Sequence, residues 1–359
     1  HYETAIKLHP KHHNAHLNLG VIAFQSKNFE LAENYYRICL KTQPKDIRSS
    51  VNLAGLLLLQ GKNEEGWIHY ERRLYGSEQI LKIPELLPPW SGQMLNGNLL
   101  LVHEQGLGDT FQFIRYAKTL RLRGIRCHFQ GPEKLHSLLV EAGLVESCHT
   151  EEEPTPAQCE AWAALMSLPM LLRGIKSEHS GPYLKINPGL LEKWEQKFGQ
   201  HKKLRIALHW QGNPDHEFTI SRGRSFHLSI LNSLASLPNI EWISLQKGPG
   251  SEQQLLKNFS SIWHPLQPEI NDVWDFKETA AILKCCDGLV SSDSGLAHLA
   301  GACGIKTWLL LPWLAEWRWG LTGTKTKWYK NHTLLRQHEE GDWSQPVNEI
   351  QRILINQIG

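Results

Sequence analysis

The chain is 359 residues long, and at roughly 100–200 residues per domain that implies two or three folded units. Its 38 basic and 36 acidic side chains leave a formal net charge of +2, which supports neither a basic nucleic-acid-binding stripe nor an acidic solvating chain. With 41% hydrophobic and 21% charged residues it is not globally disordered, and it lacks the run of about 18 apolar residues that a membrane-spanning helix needs.

The first residue is His1 and not Met, so the sequence reads as a fragment, and any leader ahead of it would be invisible. Seven cysteines, at positions 39, 127, 148, 159, 285, 286 and 303, show no C-x-x-C spacing. They are expected to be reduced thiols acting as small buried residues in a cytoplasmic protein. The 19 histidines show no metal-type spacing either, so no catalytic metal is expected.

The first eighty residues repeat themselves. Pro10 and Pro44 lie 34 residues apart, and Asn18 with Asn52, Leu19 with Leu53, Gly20 with Ala54 and Tyr36 with Tyr70 keep that register. A 34-residue period with small and aromatic residues at fixed offsets is the tetratricopeptide pattern. Helices are expected near 13–26, 29–42, 47–60 and 63–74, within a repeat segment over 1–80, and residues 1–9 read as the tail of an earlier repeat. Gly20, Ala32, Ala54 and Gly66 would let paired helices approach closely, with Tyr36 and Tyr70 filling the grooves. Two repeats cannot bury their faces alone. They either brace a larger unit or are the remnant of a peptide-binding solenoid.

Residues 81–98 read as a linker carrying Pro84, Pro88, Pro89, Gly92 and Gly97, and strands then alternate with helices. A first Rossmann-like unit over 99–190 offers strands at 99–103 and 125–130 and helices at 111–122 and 134–142, with 151–156 as a surface loop. A second over 191–359 offers strands at 205–210, 241–246, 288–292 and 307–311, joined by helices near 228–236, 250–258, 277–285 and 295–303. Such alternation implies parallel sheets with right-handed crossovers. Two such units in succession suggest a ligand in the cleft between them, facing the carboxyl ends of the strands.

The chemistry-bearing residues fall at those strand ends. Strand 288–292 runs directly into Asp293, Ser294 and Gly295, where a helix rich in small residues begins. Asp293 or Ser294 either simply caps that helix, or its open N–H groups and positive end face a diphosphate. Arg222 and Arg224 follow the first strand of the second unit, and Gln246, Lys247 and Gly248 end the next. A guanidinium forks onto phosphate oxygens, so three strand ends of one sheet offer cations, amides or a helix start to a nucleoside diphosphate. In the first unit, Gly106 and Gly108 form half of a dinucleotide fingerprint, but Phe111 stands in place of the third glycine and no acidic residue follows about 20 positions on. A nicotinamide cofactor is therefore not expected. The same loop, opened by Glu104, puts Asp109 at the mouth of the cleft as a general base or as the cap of the next helix. Glu104 and His103 are the next candidates for a base.

The Gly-Leu-Gly-Asp-Thr turn at 106–110, Leu245-Gln246-Lys247-Gly248, Glu278-Thr279-Ala280 and the run from Asp293 to Ala300 resemble glycosyltransferase family nine, the heptosyltransferase-like GT-B enzymes. The order of repeats, Gly-Leu-Gly-Asp turn, the stretch from His209 to Pro214 and Trp317-Arg318-Trp319 is similar to bacterial proteins joining tetratricopeptide repeats to such an enzyme. The resemblance implies an α/β fold of GT-B type, with two Rossmann-like domains facing a cleft, the acceptor on the first and the donor on the second. It implies an inverting, metal-independent transfer from a nucleotide-sugar, which serves as co-substrate with no further cofactor. Asp109 matches the base, Arg224 the cation on the donor phosphates, and Asp293, Ser294, Gly295 and His298 the donor loop. The segment 215–221 is longer and less basic than related loops, which leaves Arg222 and Arg224 as rivals for one role. Trp313, Trp317, Arg318 and Trp319 either line a sugar or base pocket or belong to the core. The acceptor would be a polypeptide held by the repeats, or a glycolipid. Two other classes stand beside this reading: a GT-B-fold sugar-nucleotide epimerase, and a binding scaffold whose catalytic domain has decayed.

Overall fold

A computed structural model describes residues 1–76, 87–173, 181–200, 202–214, 217 and 223–358. Residues 81–86 of the expected linker lie outside the described residues, as does Arg222 with most of the 215–221 segment. The chain forms two compact units. One consists of His1–Lys82, Ser167–Ile175 and Leu314–Thr322; the other of Ile83–Met166, Lys176–Trp313 and Gly323–Gly359.

The first unit contains α1 (Tyr2–Leu8), α2 (His13–Gln25), α3 (Phe29–Thr42), α4 (Ile47–Leu59) and α5 (Asn63–Tyr70), the last running into a 3-10 turn, Glu71–Tyr75. Helices thus stand where the 34-residue period expects them. Asn28 and Asp46 cap α3 and α4 by accepting from the backbone N–H of Leu31 and Ser49, each satisfying a donor that the first turn leaves open. Consecutive helices pack as pairs, α2 on α3 and α4 on α5. A Cβ at Gly20 would stand 2.5 Å from the Tyr36 ring, so the glycine is what lets α2 and α3 close around that buried tyrosine. Trp317 joins this core, edge-on to Trp67 at 5.3 Å and to Tyr70 at 6.2 Å between ring centroids. Trp319 is buried and Arg318 lies over the Trp317 ring. Of the two readings open for these residues, Trp317 and Trp319 take the core.

The second unit holds two parallel sheets. β1 (Asn98–Val102), β2 (Cys127–Gln130), β3 (Cys148–His149) and β4 (Cys159–Ala164) are ordered β3-β2-β1-β4. β5 (Leu204–His209), β6 (Ile240–Ser244), β7 (Gly288–Ser292), β8 (Thr307–Leu311) and β9 (His332–Arg336) are ordered β6-β5-β7-β8-β9. β1, β7 and β8 are buried along their whole length, as strands covered on both faces must be, and so they read as unbroken runs instead of alternating. Trp210, Trp242 and Trp308 anchor the second core, closed by Ile350 and Leu354 of the Ser344–Ile358 helix. In each sheet the chain leaves a central strand in one direction and returns on its other side, at β1/β4 and at β5/β7. Loops after these strands therefore open at switch points, where ligands bind in such folds.

The structure corrects several expected elements. The helix expected over 111–122 is two, α6 (Leu107–Phe113) and Tyr116–Leu122. The helices near 228–236 and 250–258 are largely 3-10 turns, Leu228–Leu231 followed by the short Asn232–Ala235 helix, and Ser251–Leu255. All seven cysteines are free thiols. Among the described residues no helix is long and apolar enough to cross a membrane.

Candidate functional site

The turn after β1 is under local constraint. Gln105 adopts φ +60°, a left-handed conformation uncommon outside glycine, and this turns the chain so that Gly106 becomes the N-cap of α6. Asp109, half-buried, accepts the Gly106 N–H on Oδ2 at 2.9 Å. It is a helix cap by geometry. His103 Nδ1 lies 2.6 Å from the Thr110 hydroxyl; burial lowers the imidazole pKa, opposed by the carboxylates of Asp109 and Glu104. Glu104 is itself buried and accepts the Met166 N–H at 2.8 Å, tying together the ends of β1 and β4.

The second half of the site begins where β7 ends. Ser294 takes the N-cap position of the Gly295–Ala302 helix in extended conformation without capping it through its side chain. Its hydroxyl turns to His209 Nδ1, at 3.1 Å, and to Ser291 Oγ, at 3.3 Å. The helix start thus retains amide donors that a capping hydroxyl would have occupied. His298, one turn on, is buried, with Nδ1 2.9 Å from the Tyr329 hydroxyl and Nε2 3.9 Å from Asp293 Oδ1.

The two turns meet. A Cβ at Gly108 would stand 2.9 Å from His298 Cδ2 and 3.3 Å from the Gly295 Cα, so only glycine allows the loop after β1 to lie against the loop after β7. Arg224 stands on the loop after β5, against Gly212 and with Nη2 3.5 Å from the Asn213 carbonyl; burial and then the Arg224 charge push the His209 pKa down to about 4. The Arg224 Nε lies 3.4 Å from Glu217. Gln246 and Lys247 have other partners. Gln246 is buried, accepting from the N–H groups of Trp210 and Gln211 at 3.1 and 3.0 Å and donating to the carbonyls of Gln211 and Pro249 at 3.0 and 2.8 Å. It braces two strand-end loops. Lys247 donates to the Ile270 carbonyl and lies 5.9 Å from the Trp274 ring centroid; burial pushes its pKa down to about 8 against the pull of Asp272. Trp313 donates its backbone N–H to Gln337 at 2.9 Å.

Gly106, Gly108, Asp109, Asp293, Ser294, Gly295 and His298 thus gather around one seam; Arg224 stands on the loop after β5 with Glu217, and Glu104 and Gln246 brace strand-end loops. His209 and Tyr329 join them without having been given a role from the sequence. His209 opens the stretch to Pro214 that carries part of the resemblance and ends an apolar strand; Tyr329 carries no such signal.

Two parallel sheets in this order form an α/β fold that is also found in a glycosyl transferase of known structure. The crystal structure of a family 9 glycosyl transferase from Veillonella parvula aligns with a TM-score of 0.50 at 10% identity, over 75% of this chain and 99% of that one. The E. coli ADP-heptose LPS heptosyltransferase II aligns with a TM-score of 0.49 at 11% identity, over 73% of this chain and 100% of that one. At such identities the likeness is one of fold. By sequence, protein FlbA of Caulobacter vibrioides is 24% identical over 334 residues, covering 83% of this chain and 53% of FlbA. The chain thus spans about half the length of that relative. No family model matches the chain.

Proposed function

We propose that the protein is an inverting glycosyltransferase, moving a sugar from a nucleotide-sugar donor to the hydroxyl of an acceptor. The observation that carries this reading is the meeting of the Gly108 turn with the start of the Gly295–Ala302 helix at the switch points of two parallel sheets. The donor's diphosphate would lie on the open amides of that helix, flanked by Arg224 and His298, and no cofactor takes part. In a single displacement the acceptor oxygen attacks the anomeric carbon as the bond from that carbon to the diphosphate breaks. The hydroxyl proton passes to the Asp109 carboxylate, since an unassisted hydroxyl is a poor nucleophile at neutral pH. The charge left on the diphosphate is met by donors already in place, which is worth more than donors that must first reorganise. The paired helices of the first unit suit a polypeptide acceptor, with a glycolipid as the other candidate, and the reaction is assigned to the cytoplasm.

NMR of a UDP-, GDP- and ADP-sugar panel with the full chain tests this. Release of a nucleoside diphosphate from one donor is the expected result. Formation of an epimer instead makes the protein an epimerase, and neither binding nor turnover at millimolar donor makes it a scaffold.

A further inference from the structure

Behind the donor loop runs a second polar network that the reaction above does not use. Arg115 sits in the break between α6 and the Tyr116–Leu122 helix and is 2% exposed. Its Nε donates to the Gln112 carbonyl at 2.6 Å, Nη1 to the Trp328 carbonyl at 2.9 Å and Nη2 to the Tyr183 hydroxyl at 3.0 Å. Its guanidinium carbon lies 4.8 Å from the ring centroids of both Tyr183 and Tyr329. Tyr183 donates onward to the Phe111 carbonyl at 2.6 Å. A buried cation is costly unless carbonyls and ring faces replace its water. Holding Arg115 therefore fixes three pieces of chain relative to one another: the end of α6, the segment at 183 and the segment ahead of β9.

Tyr329 is where this network reaches the donor loop. Its ring fills the space over Gly301, where a Cβ would come within 2.4 Å of it, and its hydroxyl meets His298 Nδ1 at 2.9 Å. We infer that Tyr329 is a positioning residue, whose hydroxyl donates to His298 Nδ1 and so keeps the imidazole proton on Nε2, at the seam between the two turns. The surroundings of the ring support that tautomer. Nε2 lies 3.9 Å from Asp293 Oδ1, where an N–H is attracted and a bare lone pair repelled. The Nε2 edge, marked by Cδ2, is the edge that faces Gly108. Burial holds the Tyr329 phenol well above its ordinary pKa, so the hydroxyl stays protonated, and it also meets the Tyr183 hydroxyl and the Arg115 guanidinium. Resting on the glycosyltransferase reading, the consequence is a neutral Nε2–H donor preset for an oxygen of the departing diphosphate, as an outer partner sets the tautomer of a ligating histidine.

The test needs no ligand in its first arm. Two-bond ¹H–¹⁵N correlation on the ¹⁵N-histidine-labelled full chain, with His298 assigned by its loss in His298→Gln, reads the tautomer directly. The expected result is Nε2–H in the wild type and a mixture of tautomers in Tyr329→Phe, which keeps the ring on Gly301. In the second arm Tyr329→Phe weakens nucleoside-diphosphate binding by about fivefold, the usual worth of one neutral hydrogen bond. Nδ1–H in the wild type overturns the inference even if the variant does not fold, and an unchanged tautomer in a folded variant overturns it equally. Failure of the wild type to bind any nucleoside diphosphate instead removes the donor reading, and the tautomer measurement still decides the Tyr329–His298 bond.

Discussion

Asp109 closes the first turn of α6, and the proposed reaction gives it a second task, taking the acceptor's proton. Asp109→Asn separates them, because an amide oxygen can accept the same Gly106 N–H while no longer acting as a base. The variant should hold nucleoside-diphosphate affinity within about twofold and lose roughly 10²–10⁴-fold in kcat, the range for a lost general base. Calorimetry and single-turnover kinetics measure the two quantities. Retention of more than about a tenth of the turnover, with chemistry rate-limiting, would leave Asp109 as a cap only and pass the role to His103 or Glu104. At this scale the sequence was readable where a motif is local. Asp109 with Gly106 and Gly108, and Asp293 through His298, each fit within a few residues, so their meeting needed only the strand ends to be right. Gln246 and Lys247 follow β6, and their side chains meet the Pro249 and Ile270 carbonyls. A side chain's direction depends on what packs beside it. Tyr329 lies 31 residues from His298 in a stretch with no pattern of its own, and no reading of spacing could have joined them.

Helices and strands were readable to the extent that each carries a period. The 34-residue repeat and the buried strands β1, β5, β7 and β8 follow from spacing and apolar runs. The two-residue β3 is too short to show alternation, and β4 carries an exposed Glu160 among buried neighbours. The break at Arg115 falls within a continuous apolar pattern, and the cause is long-range: the guanidinium turns inward to Trp328 and Tyr183. Trp317 belongs with α5 for a similar reason, packing on Trp67 and Tyr70 from far along the chain. Helix pairing itself is open to a paired test. Gly20→Ala drives a methyl to 2.5 Å from the Tyr36 ring, whereas a Cβ at Gly55, in α4, would meet nothing within 4 Å. The first should destabilise the helical unit by about 1–3 kcal/mol through overpacking, and the second should stabilise it by about 0.5–1 kcal/mol through helix propensity. Urea titration followed by circular dichroism distinguishes them, and equal effects would mean that α2 and α3 do not close on Tyr36.

For the molecule as a whole, buried histidines set the response to acid. His332 on β9 is fully buried with its pKa pushed down to about 3, and His209 is pushed down to about 4, burial being the main cause in each. Both lie below the ordinary value of about 6.5, so in mildly acidic solution the unfolded chain binds protons that the folded one refuses. Their contribution to stability is therefore complete above pH ~6.5 and is lost as the pH falls through the folded values. At about 1.4 kcal/mol per pKa unit, each accounts for on the order of 3 kcal/mol by pH ~4. Calorimetry should show Tm falling steeply between pH 6.5 and 4.5, and His332→Gln should flatten that fall. A Tm independent of pH across this window would mean that the two imidazoles are not held neutral.

The claim that a nucleoside diphosphate lies on the Gly295–Ala302 helix start beside Arg224 is tested most directly by thermal shift of the wild-type chain with UDP, GDP and ADP. A ligand that binds only the folded state, present at about a hundred times its Kd, adds about 2.7 kcal/mol. For a unit of this size that is a rise in Tm on the order of 5 °C. A rise of that size with one of the three, much reduced in Arg224→Ala, is the expected result. No rise with any of them at millimolar concentration would contradict the donor site.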